Sequence, residues 1–168
     1  MIKQSDEWET PQWLFDILNK EFCFGIDACA TEENCKVKKY TEEYSNVGSS
    51  GRIKSFYMWD ALNKNNWWVD QNVFMNPPYS RPYEFVKMAY SQSQHCTVVC
   101  LLKCDPSTKW WGIFWDYKTQ KPKPGIEIRY LPKRLKFELN GIPSSSAPFA
   151  SVIVVMDRRH IKVTNEDN

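Results

Sequence analysis

The sequence predicts an α/β fold built on a doubly wound, mostly parallel sheet with one antiparallel strand near an edge. Two observations predict it. Apolar, strand-like runs such as CTVVCLLKC (96–104) and FASVIVVM (149–156) alternate with stretches of helical periodicity. Three of the runs end on a polar side chain, at Asp27, Asp60 and Asn76. In open α/β sheets ligands bind beyond the carboxyl ends of the strands, so these polar ends are expected to share one crevice. With 168 residues the chain has room for one domain with a core of its own. We expect residues 1–157 to form that domain and 158–168 to be a polar tail.

The elements follow in order. TPQWLFDILNKEF (10–22) reads as a helix, with Thr10 as N-cap, Pro11 in the first turn and an apolar stripe of Trp13, Leu14, Ile17 and Leu18. FCFGIDACA (22–30) reads as a strand ending near Asp27, and KVKKYT (36–41) as a short second strand. SNVGSSGR (45–52) is a loop by composition. IKSFYMWDAL (53–62) is a strand that ends near Asp60, and NVFMN (72–76) another that ends at Asn76. Ser80 is placed to cap a helix over RPYEFVKMAYSQS (81–93). CTVVCLLKC is the most apolar strand and is expected at the centre of the sheet. PSTKWWGIFWDY (106–117) reads as helical, and IEIRYL (126–131), RLKFEL (134–139) and FASVIVVM as the last strands.

Composition narrows the function classes. No apolar run approaches a membrane span, and MIKQSDEWET lacks the basic start and apolar centre of a signal peptide. A cytoplasmic protein with free thiols is therefore expected. The six cysteines fall in two evenly spaced sets, without the close pairs of a zinc site, so no metal is expected. Net charge is only +2, but it is unevenly spread. Residues 1–34 hold two lysines against eight acids, whereas residues 121–140 hold six basic residues against two acids. The basic stretch suits either phosphates or a solvated hairpin.

The stretch VFMNPPYS (73–80) carries the most specific chemistry. Asn76 offers an amide oxygen as acceptor. Pro77 fixes its own φ and restricts Asn76, and Pro78 does the same to Pro77, so the Pro77 carbonyl is a second, rigidly aimed acceptor. Tyr79 adds a flat face beside them. Two acceptors and a stacking surface suit a planar group that carries an NH₂. Such a nitrogen is a poor nucleophile while its lone pair is conjugated. Acceptors on its hydrogens favour the tetrahedral form and free the lone pair, which is stabilisation of charge developing in the transition state. Adenine, cytosine and a glutamine carboxamide all fit this description, and a stiff structural turn is the bland reading of the same four residues.

The tetrapeptide after an apolar strand resembles the catalytic motif of amino-methyltransferases that use S-adenosylmethionine. Taken with DEWETPQWLFDIL, FGIDACATEENCKVKKY, DALNKNNWWVDQNVFMNPPYSRPYEFV and PFASVIVV, the chain is similar to the phage-type DNA N6-adenine methyltransferase family over most of residues 5–156. The resemblance implies a Rossmann-like, seven-stranded methyltransferase fold and methyl transfer to adenine N6 in double-stranded DNA, with the base flipped out. It implies that Trp8, Thr10 and Pro11 lie near the methionine part of S-adenosylmethionine and that Asp27 and Ala28 lie near that cofactor. Asp60 and Ala61 match the motif that reads the cofactor's adenine. Asn76, Pro77, Pro78 and Tyr79 match the catalytic loop. No glycine follows Asp27 in DACATEENC, where many methyltransferases have a glycine-rich turn. Beyond the motifs, Ser80 and Arg81 are expected at the substrate backbone, and Lys133, Arg134 and Lys136 at phosphates. Lys109 is placed either at DNA or beside the packing of Trp110 and Trp111, with packing favoured by the area a tryptophan buries. A non-catalytic nucleic-acid-binding protein that keeps the fold is the alternative from a different class.

Overall fold

The computed structural model describes residues 4–31, 34–37, 61–67 and 71–161. Among these, five strands form one mixed sheet in the order β1 (Phe24–Asp27), β2 (Asn72–Met75), β3 (Val98–Lys103), β9 (Ser151–Met156) and β6 (Ile126–Tyr130). β1, β2 and β3 pair in parallel; β9 runs antiparallel to both β3 and β6. Four of the five strands therefore point the same way, and the reversed one lies next to an edge. Two short pairings complete the strands among the described residues: β4 (Trp115–Asp116) with β5 (Lys121–Pro122), and β7 (Glu138–Leu139) with β8 (Ile142–Pro143), each make a small hairpin.

The sheet is covered on both faces, which is why its middle strands are continuously apolar. One face carries Val73, Met75, Val98, Cys100, Leu102, Val152 and Val154 against Phe85, Val86 and Ala89 of helix α2 (Pro82–Gln92), with Trp110, Trp111 and Phe114 alongside. The other carries Phe24, Phe74, Val99, Leu101, Ile153 and Val155 against Leu14, Phe15 and Leu18 of helix α1 (Gln12–Phe22), with Leu135 and Phe137. β3 is central, as its composition requires. Each fully buried aliphatic or aromatic side chain stabilises this arrangement by roughly 1.5–3 kcal/mol.

Several local expectations change. α1 begins at Gln12, and Pro11 rather than Thr10 occupies the cap position, with no side-chain cap of its own. The Gln12 N–H instead donates to Glu138 Oε1 at 3.0 Å. The buried face of α1 is also turned from the expected stripe. Leu14, Phe15 and Leu18 face inward, while Trp13 and Ile17 are 56% and 58% exposed. Phe15 decides this, because its ring meets Phe74 edge-on at 5.3 Å and Phe24 at 5.7 Å. α2 starts at Pro82 with Arg81 in the cap position, not Ser80.

PSTKWWGIFWDY is not an α-helix. It forms a short 3-10 turn, Lys109–Ile113, and then enters β4. The Asp105 carbonyl accepts from the Thr108 backbone and hydroxyl (3.1 and 2.7 Å), and the tight turn that follows drops Trp110, Trp111 and Phe114 into the core. In RLKFEL only Glu138 and Leu139 pair as a strand. The preceding residues still alternate, Leu135 and Phe137 in, Arg134 and Lys136 out, but Leu135 and Phe137 bond to the Ala147 and Ser144 backbones instead. Of the expected strand KVKKYT only Lys36 and Val37 are described, in a turn. The strand over 53–60, its end at Asp60, the loop over 45–52 and the tail from 162 lie outside the described residues.

Candidate functional site

β1 and β2 run side by side, with Asp27 paired to Phe74 and the Ala28 N–H donating to the Phe74 carbonyl at 2.8 Å. That register brings the carboxyl end of β1 level with the end of β2. Asp27 and Asn76 consequently line the same small cavity, of about 40 Å³, together with Trp8 and Thr10. It adjoins a larger crevice of about 880 Å³. Asp6, Glu7, Glu9, Cys29, Asn34 and Lys36 line both. The crevice thus lies where open α/β sheets hold ligands, and its walls are rich in acid.

Asn76 is held from one side only. Its Nδ2 donates to the Trp8 carbonyl at 2.9 Å, which settles the orientation of the amide, because a carbonyl accepts only from the NH₂. Its Oδ1 is buried and has no hydrogen-bond partner among the described residues. An open buried acceptor costs about 1–3 kcal/mol, so this group is stabilised when a ligand or a water in the cavity donates to it. Pro77 is buried behind it, and the Pro78 carbonyl accepts the Arg81 N–H at 3.3 Å, closing the turn.

Tyr79 does not stand free as an exposed ring. It packs in an aromatic cluster with Trp8 (6.4 Å, edge-on), Phe137 (5.6 Å) and Phe149 (5.1 Å). Its hydroxyl is buried without a partner among the described residues, and burial drives its pKa up. Trp8 in turn stacks on Phe137 at 5.1 Å and 16°. The carbonyl that steers Asn76 is therefore fixed by a ring stack and by two backbone bonds between Glu9 and Glu138, of 2.9 and 3.0 Å.

Asp27 is 5% exposed and accepts the Lys36 N–H at 3.3 Å. Burial outweighs that bond and the Lys36 charge, and pushes its pKa up to about 7. The Lys36 ammonium reaches Glu138 at 3.0 Å and Glu9 at 3.5 Å, with all three side chains nearly buried. Glu138 so joins the mouth of α1, the N-terminal segment and the wall of the crevice. Asp6 accepts from the Ser80 N–H (2.9 Å) and hydroxyl (2.6 Å), which ties the same segment to the far end of the NPPY loop.

The structure thus gathers Trp8, Thr10, Asp27 and Asn76 at one cavity. Pro11 and Ala28 are buried next to them in the chain, and Ala61 is buried with its carbonyl accepting the Trp67 indole N–H at 2.9 Å. Asp60 lies outside the described residues. Ser80 and Arg81 are exposed, with the Arg81 guanidinium over the Phe85 ring at 5.8 Å. The exposed Lys109 lies over Tyr83 at 5.4 Å, whereas Trp110 and Trp111 are core residues, as their size favoured. Lys133, Arg134 and Lys136 surround a separate groove next to Trp13. Asp6, Glu9, Lys36 and Glu138 were not legible as site residues. The acid excess of residues 1–34 was the one available signal for the first two. Among the described residues no cluster of metal-ligating side chains occurs, and no helix is long and apolar enough to cross a membrane.

A protein of Haemophilus phage HP1 (strain HP1c1) described as a DNA N-6-adenine-methyltransferase is 37% identical over 117 residues, 66% of this chain and 58% of that protein. One of Escherichia phage T1 with the same description is 29% identical over 139 residues, 81% of this chain and 49% of that protein. The chain thus spans roughly half the length of the curated relatives it matches. A family model described as DNA N-6-adenine-methyltransferase (Dam) matches residues 1–164, so the chain belongs to that family.

Proposed function

We propose that the protein transfers a methyl group from S-adenosylmethionine to the N6 amino group of adenine in double-stranded DNA, acting on a base turned out of the duplex. Residues 1–157 serve as one Rossmann-like methyltransferase domain in this reading. The observation that carries it is the open Oδ1 of Asn76 at the wall of the cavity it shares with Asp27. Family membership and the descriptions of the two phage relatives support the choice of adenine.

The residues present fit the cofactor. The crevice is in the size range of nucleotide-scale ligand sites. Asp6, Glu7 and Glu9 of the crevice and Asp27 of the adjoining cavity suit a ligand with a sulfonium and an ammonium. Trp8, Thr10, Pro11, Asp27, Ala28, Asp60 and Ala61 are the residues we assign to holding it. Bound S-adenosylmethionine supplies a methyl group made electrophilic by the attached sulfonium.

Asn76 Oδ1 accepts one hydrogen of the target amino group. That bond strengthens as the nitrogen turns tetrahedral, so it acts mainly in the transition state. Pro77 and Pro78 keep the acceptor from following the nitrogen, and the Pro77 carbonyl takes the second hydrogen. The Trp8 carbonyl stops the amide from rotating. The half-buried Tyr79 ring, backed by Trp8, Phe137 and Phe149, is the surface we assign to stacking on the base. Ser80, Arg81 and Lys109 contact the strand beside the target, and Lys133, Arg134 and Lys136 contact phosphates.

The test is incubation of the purified protein with labelled S-adenosylmethionine and duplex DNA, followed by digestion to nucleosides. N6-methyl-2′-deoxyadenosine is the expected product. Label in cytosine, or in protein alone, would overturn the assignment.

A further inference from the structure

A large apolar side chain left on a helix surface is informative when it lies in a patch. Trp13 is 56% exposed, and Ile17 lies one turn further on at 58%. Trp13 forms one wall of a mostly apolar groove of about 310 Å³, whose other walls come from residues 131–136. Three of these, Lys133, Arg134 and Lys136, are exposed cations, and among the described residues no acid lines the groove. Nearby acids of α1 are engaged elsewhere. Asp16 accepts from the Gln12 side chain at 2.7 Å, and Glu21 holds Arg129 through two bonds of 2.6 Å.

An indole face bordered by unopposed cations is the combination that single-stranded nucleic acids require: a flat surface for a base and positive charge for the backbone. We propose that this groove binds an unpaired nucleotide of the DNA strand, with its base stacked on Trp13 and its phosphates on Lys133, Arg134 and Lys136. The inference rests on DNA being the substrate. Extrusion of a target base opens the duplex locally and frees neighbours for such a contact. The groove is also joined to the site through the chain. Lys136 precedes Phe137, which stacks on Trp8, whose carbonyl holds Asn76. A strand seated on the groove therefore bears on the element that orients the catalytic amide. An apolar peptide would fill the groove but leave the three cations without partners.

The experiment measures affinity for a fluorescent single-stranded oligonucleotide and for a duplex by anisotropy, at several salt concentrations, alongside methyl transfer to duplex DNA by the unaltered protein. Trp13→Ala should weaken single-strand binding by about tenfold with the salt dependence unchanged, and Trp13→Phe by much less. Lys133→Ala should lower the salt slope by about one. Because Trp13 and Lys133 are exposed, the variants should fold, and circular dichroism checks this. Unchanged single-strand affinity in Trp13→Ala overturns the groove, whether or not the protein methylates DNA. A change of oligomeric state in that variant also overturns it, by making the patch a contact between copies. Failure of the unaltered protein to methylate DNA, with oligonucleotide binding still dependent on Trp13, sinks the enzymatic reading and leaves the groove standing.

Discussion

Replacing Glu138 by alanine tests how the wall of the crevice is held together. The substitution removes the acceptor for the Gln12 N–H at the start of α1, a bond of 3.0 Å. Loss of a helix cap costs about 0.5–2 kcal/mol. It also leaves the Lys36 ammonium with Glu9 alone, at 3.5 Å instead of 3.0 Å, in a setting where these side chains are only 11–12% exposed. A charge-assisted bond lost there costs about 1.5–3 kcal/mol. Together the two losses come to about 3 kcal/mol, which in a domain of this size lowers Tm by about 6–12 °C. Glu138→Gln keeps an acceptor for Gln12 but not the charge for Lys36, so about half the loss should remain. Urea unfolding followed by circular dichroism measures both variants. Glu138→Ala within about 0.5 kcal/mol of the parent would refute the reasoning, since surface positions behave that way. So would a glutamine variant as damaged as the alanine one.

Four further outcomes are expected. The Asp27 pKa of about 7 means that the carboxyl ionises across neutrality. Calorimetry should show S-adenosylmethionine binding more tightly as pH rises through that value, because ionised Asp27 faces a cation, and Asp27→Asn should flatten the profile. The same raised pKa makes the folded state hold this proton more tightly than the unfolded chain does. Its contribution to stability is therefore full below the ordinary carboxylate range and lost as pH rises through about 7; urea titrations of Asp27→Asn should lack that part of the slope. Phe137→Ala deletes a fully buried ring that carries Trp8, and should lower stability by about 3–5 kcal/mol in denaturant titrations. Gly141→Ala has open space around it but a φ of +73°, so thermal melts should show a loss of about 1 kcal/mol from backbone strain alone.

What the sequence made legible was local. β2, β3 and β9 are short apolar runs with polar residues at their ends, and burial on both faces of a sheet produces that pattern. Asp27 and Asn76 could be placed at one crevice because the topology alone aligns strand ends. The missed features depend on partners far along the chain. The cap of α1 is Glu138, 126 positions away, and the Ser80 hydroxyl is taken by Asp6, 74 positions back, rather than by the helix it precedes. Neither residue carries a local sign of this. The turned face of α1 has a similar cause. Trp13 and Ile17 match Leu14 and Leu18 in hydrophobicity, and only the rings of Phe24 and Phe74 decide that Phe15 goes in. The Trp-rich stretch was read as a helix because its apolar spacing suits one, but the turn at Asp105 starts it with tighter 3-10 geometry. The Asn140–Gly141 turn that closes β7 and β8, with both φ values positive, is a hairpin signal that lay in plain view.

The most direct measurement compares steady-state methyl transfer and S-adenosylmethionine affinity in Asn76→Ala. If the open Oδ1 draws the target nitrogen out of conjugation, turnover falls by about 10²–10³, while calorimetry finds cofactor affinity nearly unchanged. Turnover close to that of the parent protein, with the cofactor bound, would contradict the account.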